Sequence, residues 1–160
     1  MNIEIRCAIE YRADQARLSP GHLSGVLLTY GERARDRREV FAPGSLSWPD
    51  DGVVLNLAHD RKRPVMRCTP LLEGRDVRIA FDLPDTTAGR DAAVMVRNGT
   101  LRGFSAEFVA IDEGRRDGLR EIRAARLVGA GLVDDAAYGN SAEVRRSQLP
   151  PWKRSAVLWL

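Results

Sequence analysis

Apolar and polar positions alternate from the first residues of the chain: Ile3, Ile5, Cys7 and Ile9 interleave with Glu4, Arg6 and Glu10. A period of two belongs to a strand with one face buried. A polar stretch holding Ser19-Pro20-Gly21 follows, and then residues 23–30, Leu-Ser-Gly-Val-Leu-Leu-Thr-Tyr, predict a second strand stopped by Gly31. Residues 32–39 carry both charges and, between two β-like runs, predict a solvated loop. Ala42-Pro43-Gly44 and Trp48-Pro49-Asp50-Asp51-Gly52 are turn signals. The apolar runs 53–58, 64–68 and 76–83 predict three more strands, the last two separated by a turn at Glu73-Gly74.

One segment has helical rather than strand periodicity. Ala88, Ala92 and Met95 fall at i, i+4 and i+7 within residues 87–97, Thr86 or Thr87 supplies an N-cap hydroxyl, and Asn98-Gly99 is a stop signal. Residues 101–111 and 119–133 then predict two β segments joined by a turn at Asp117-Gly118. Six or seven short strands with one or two helices imply a mainly β (α+β) fold, a small closed or partly open β-barrel with peripheral helices. The domain is expected over residues 1–145, with residues 146–160, including Pro150-Pro151, as a C-terminal tail. Its apolar pieces, Gln148 to Trp152 and Ala156 to Leu160, make the tail a candidate for docking on the body, for self-association or for directing packaging.

Composition narrows the chemistry. At 160 residues, 44% hydrophobic and 29% charged, the chain has the size and makeup of one globular domain. No apolar run reaches the roughly 18 residues of a membrane span, and the start has neither the basic nor the apolar region of a signal peptide. A cytosolic chain with no membrane partner is expected. Two cysteines and two histidines exclude multi-Cys zinc ribbons, iron–sulfur clusters and disulfide frameworks, so no metal or cofactor is expected. Arginine outnumbers lysine 23 to two (Lys62, Lys153), yet 22 acids hold the net charge to +3. That balance gives no support to nucleic-acid binding, and no aromatic platform accompanies it.

The search for a reactive group thus reduces to histidine and its partners. His22 sits in a Pro-Gly loop. His59 follows the strand-like run Leu55-Asn56-Leu57-Ala58 and precedes the charged cluster Asp60-Arg61-Lys62-Arg63, at the point where a buried strand meets water. If the strand continues, His59 shares a face with Val53, Leu55 and Leu57. In Gly103-Phe104-Ser105-Ala106-Glu107-Phe108, alternation sends Phe104, Ala106 and Phe108 to one face and Gly103, Ser105 and Glu107 to the other. Ser105 then lies beside Gly103, where a peptide backbone meets no Cβ. A serine hydroxyl attacks only when an adjacent base takes its proton, and His59 is the histidine placed to do so. The plainer alternatives are a strand-end histidine and a strand serine, each making one hydrogen bond.

Four segments together resemble a known family. They are Gly44-Ser45-Leu46, then Asn56-Leu57-Ala58-His59-Asp60, then Gly99-Thr100-Leu101-Arg102 running into Gly103 to Phe108, then Ala130-Gly131-Leu132-Val133-Asp134 with Ala136-Ala137-Tyr138-Gly139. In this order and spacing they resemble the signature of tailed-bacteriophage prohead maturation proteases, over roughly residues 20–145. The resemblance implies a serine endopeptidase with a fold similar to herpesvirus assemblin, a seven-stranded β core with peripheral helices. It implies that His59 and Ser105 are the catalytic pair. It also implies the partner: the major capsid protein precursor, whose scaffolding segment is cut inside the immature capsid in the bacterial cytoplasm, with self-cleavage usual in the family.

The chain departs from the family pattern at the third member. Many relatives have Glu-Val-Ser-Leu-Val in the final strand; here the stretch is Gly129-Ala130-Gly131-Leu132-Val133. Candidates to orient His59 are Glu107, on the face of Ser105, and Asp134, at the end of the last run, with Glu121 further back. The small residues Gly129-Ala130-Gly131 either supply backbone donors to an oxyanion or give room for substrate. The missing acid also motivates a second reading, a catalytically inactive capsid-assembly or scaffold protein that retains the protease fold.

Overall fold

The computed structural model describes residues 10–12, 21–34 and 38–135, with side chains from residue 21 onward. The alternating stretch at residues 3–9 and the tail at 146–160 lie outside the described residues. In chain order the strands are β1 Glu10–Arg12, β2 His22–Thr29, β3 Glu39–Phe41, β4 Leu46–Ser47, β5 Val53–Leu57, β6 Pro64–Cys68, β7 Leu71–Glu73 and β8 Asp76–Asp82. The helix α1 spans Thr87–Arg97, and β9 Gly103–Arg116 and β10 Leu119–Val133 complete the described chain. The fold is mainly β with one helix among the described residues.

The strands make two sheets. One is antiparallel in the order β1-β2-β8-β7. The other is organised by the 15-residue β10. On one side β10 takes β3, β4 and β5 in succession, all parallel, as the chain climbs from Glu39 to Leu57; on the other it takes β9 antiparallel along its length. The sheets do not close into the barrel that the strand count suggests. Closure requires a ladder between edge strands, and among the described residues none joins β6 or β9 to β1 or β7. Side chains join them instead, in one apolar core. Phe104 of β9 meets Phe81 of β8 across the sheets at 6.1 Å between centroids, and within the larger sheet Phe108 meets Phe41 of β3 edge-on at 4.8 Å. Such pairs add roughly 0.5–1.5 kcal/mol beyond area burial.

Most predicted elements stand within a residue or two of their expected ends. The helix is capped as expected, Thr86 accepting from the Gly89 N–H at 3.1 Å and Asn98 closing it. Its buried face is Gly89, Ala92, Ala93 and Val96 rather than the Ala88–Ala92–Met95 stripe. The reason is Gly89: a Cβ there would lie 2.0 Å from the Pro84 carbonyl, so the helix seats its smallest residue against the chain that enters it. The turns at Gly44 and Gly52 have φ of +71° and +76°. β3, β4 and β7, of two or three residues each, carry no sequence signal, because so short a run has no periodicity to read.

Candidate active site

The register of the larger sheet sets the site. Asn56 of β5, Gly131 of β10 and Ser105 of β9 stand opposite one another in a row across three strands. Residues directly paired in a sheet share a face, so these three point the same way. The neighbouring row, Leu55, Ala130 and Ala106, points into the core and is fully buried. In the same unbroken register Gly129 stands opposite Glu107, one step further along the face of Ser105.

His59 reaches this face by a turn. β5 ends at Leu57, and the Asp60 N–H donates to the Leu57 carbonyl at 2.9 Å. The two residues between, Ala58 and His59, both have positive φ, +48° and +60°, the pattern of a type I′ turn. That turn favours Asn-Gly, because a Cβ in the left-handed region costs roughly 1 kcal/mol or more. Had the strand continued, His59 would share the core face of Leu55 and Leu57. The left-handed turn instead returns the imidazole over β10, and strain of this kind concentrates where a side chain must be aimed. Ala58→Gly is expected to raise stability by roughly 0.5 kcal/mol, a melting-temperature gain of about 1–2 °C; a calorimetric scan checks it.

The imidazole lies over Gly131. A Cβ built there would stand 2.4–2.7 Å from three ring atoms of His59, and one at Gly129 would stand 2.9 Å from Glu107 Oε2. The small residues of β10 thus make room for the site's own side chains. His59 Nδ1 and Glu107 Oε1 are 2.8 Å apart, with the Glu107 side chain 4% exposed. A carboxylate oxygen accepts, so Nδ1 is the donor, and in the neutral ring Nε2 carries the lone pair. Nε2 and Ser105 Oγ are both buried and unpaired among the described residues. Leaving a buried polar atom unpaired costs about 1–3 kcal/mol, and such atoms in a native fold call for a functional account.

A cleft of about 520 Å³ opens on the Glu107 side of this pair, walled by Val54, Val128 and Pro64, with Asn56, Arg61 and Glu107 as its polar lining. Arg61 Nη2 lies 3.7 Å from Glu107 Oε2. Ser105 is not on the cleft wall and has no solvent exposure. Gly103, beside which the sequence places the peptide's approach, is buried where β9 begins and pairs with Val133. That approach is covered.

The residues match a known family. A profile described as Caudovirus prohead serine protease matches residues 8–155. The chain belongs to this family. Among solved structures, the bacteriophage T4 capsid assembly protease, gp21, is similar with a TM-score of 0.51, at 13% identity, over 83% of this chain and 99% of that one. At that identity the likeness speaks to the fold. Comparison with curated protein sequences gives no match.

In this chain the other candidates stand apart. Asp134 is exposed beyond the end of β10 and makes no hydrogen bond or ion pair to His59, whose Nδ1 is already taken by Glu107. Glu121 pairs with Arg116 at 3.4 Å. Ala130 and Gly131 are flanked by β9 on one side and β5 on the other, so their backbone serves the ladders, while Gly129 pairs with β9 and lines the cleft. His22 bonds Asp82 at 2.8 Å where β2 and β8 end together. Burial pushes the Cys68 thiol up to about 12, which leaves it protonated and unreactive at neutral pH. Among the described residues no cluster of three or more His, Cys, Asp or Glu is arranged to hold a metal, and no helix is long and apolar enough to cross a membrane.

Proposed function

We propose that the chain is a serine endopeptidase of prohead maturation, cleaving the scaffolding segment of the major capsid protein, and itself, inside the assembling prohead in the host cytoplasm. Ser105 is the nucleophile, His59 the base and Glu107 the residue that orients it. The observation that carries this reading is the 2.8 Å bond from His59 Nδ1 to Glu107 Oε1 on the face shared with Ser105. It leaves Nε2 free to take the Oγ proton as Oγ attacks the scissile carbonyl. The imidazolium so formed is stabilised by Glu107 and returns the proton to the departing amine, and water then releases the acyl group by the same base. Because Ser105 is fully covered, acylation also needs a movement that uncovers it.

That covered hydroxyl is also what favours a second reading, a capsid-assembly protein that keeps the fold without cleaving. A fluorophosphonate probe separates the two, since its phosphorus bonds only to an activated oxygen, with loss of fluoride. The protease reading predicts a single adduct, on Ser105. No adduct, together with no self-cleavage, supports the assembly protein. Gly131→Ala tests the geometry: the new Cβ displaces the ring by about 1 Å while the fold persists. Labelling is expected to fall about 10²-fold, and an undiminished rate would mean that the position of the ring over β10 is immaterial.

A further inference from the structure

We propose that Arg61 is a positioning residue, holding the second oxygen of Glu107 so that the first stays on His59; the inference rests on the protease reading above. The two oxygens of the carboxylate are divided between two side chains of one loop. Oε1 lies 2.8 Å from His59 Nδ1 and Oε2 lies 3.7 Å from Arg61 Nη2. The loop that carries both is itself pinned. Asp60 N donates to the Leu57 carbonyl, Arg63 N to the Asp60 carbonyl and Leu57 N to the Arg63 carbonyl, each at 2.9–3.0 Å. Asp60 Oδ1 accepts from Lys62 N at 2.9 Å, so the aspartate serves the loop's own turn.

Among the described residues no other side chain pairs with Oε2. On β10 its neighbour is Gly129, which has no side chain, and on β5 the polar group on the cleft is the neutral Asn56. The terminal torsion of a glutamate is broad, so a carboxylate held by one oxygen swivels and offers Nδ1 a poorly aligned acceptor. A guanidinium on the opposite side removes that freedom by charge alone, without a direct hydrogen bond. Arg61 is 65% exposed, and a pair with one such partner contributes little to folding. Its effect should therefore appear in the alignment of the site and not in the melting temperature.

The test compares the wild type with Arg61→Ala and Arg61→Lys, each with Glu107 intact and with Glu107→Gln. Two quantities are read: the rate of fluorophosphonate labelling of Ser105, and the share of His59 with its proton on Nδ1, from imidazole ¹⁵N shifts in Ser105→Ala protein. Arg61→Ala is expected to slow labelling about fivefold and to lower the Nδ1–H share, with Arg61→Lys returning the rate to within about twofold. On the Glu107→Gln background Arg61→Ala should change neither. The inference is overturned if the Nδ1–H share is unmoved by Arg61→Ala, or if the loss of rate persists undiminished without the carboxylate. Because the ¹⁵N measurement needs no activity, a wild type that takes no label while the Nδ1–H share falls would overturn the protease reading and leave the positioning role standing.

Discussion

Ser105→Ala is expected to abolish processing of a capsid precursor coexpressed with this chain, and to leave a protein at least as stable as the wild type. Loss of the nucleophile from a serine protease lowers turnover by about 10⁶-fold, beyond what a gel of coexpressed product detects. The stability half follows from the packing. Ser105 has no solvent exposure and its Oγ has no hydrogen-bond partner among the described residues. Replacing such a hydroxyl with hydrogen removes an uncompensated polar atom, a gain of about 1 kcal/mol, or about 2–4 °C in melting temperature. Activity lost together with stability gained marks a residue kept for chemistry. Processing at the wild-type rate would exclude Ser105 as nucleophile, and a destabilised variant would mean that the hydroxyl has a structural partner.

The second large effect is expected from Glu107→Gln. The amide preserves the volume of a side chain that is 4% exposed, so the fold should survive. The amide fails in two ways. It carries no charge to stabilise the imidazolium, and it can present its NH₂ to Nδ1, which drives the proton to Nε2 where the lone pair is needed. The equivalent change in a well-studied serine protease lowers kcat by about 10⁴. Asp134→Asn serves as the comparison, since Asp134 lies exposed past the last residue of β10. It should leave cleavage within about twofold of the wild type, as surface changes away from a site usually do. A reversal of the two effects would move the orienting role from β9 to the end of β10.

The pair Ser105 and Glu107 was legible because period two needs no knowledge of partners: residues two apart on one strand share a face, and Phe104 and Phe108 declare which face is the core. His59 was legible as a residue but not in its direction. Alternation along Val53, Leu55 and Leu57 sends it toward the core, and only the left-handed turn at Ala58-His59 reverses it, at two residues that carry no Gly or Asn to signal such a turn. The glycines of β10 were noticed as small, yet their purpose depends on register. Gly131 faces Ser105 and Asn56 across strands 26 and 75 positions away, which a single sequence does not encode locally. The same non-locality hid β3 and β4, which exist as strands because β10 offers them an edge. An open pair of sheets in place of a barrel has a related cause, since closure is decided by edge ladders and not by strand count.

The most direct measurement is a crystal structure of the wild-type protein after reaction with a fluorophosphonate. Phosphorus is expected on Ser105 Oγ, with His59 Nε2 within about 3.2 Å of that oxygen and Glu107 Oε1 still on Nδ1. An adduct on any other residue, or an imidazole turned away from Ser105 while the serine is modified, would contradict it.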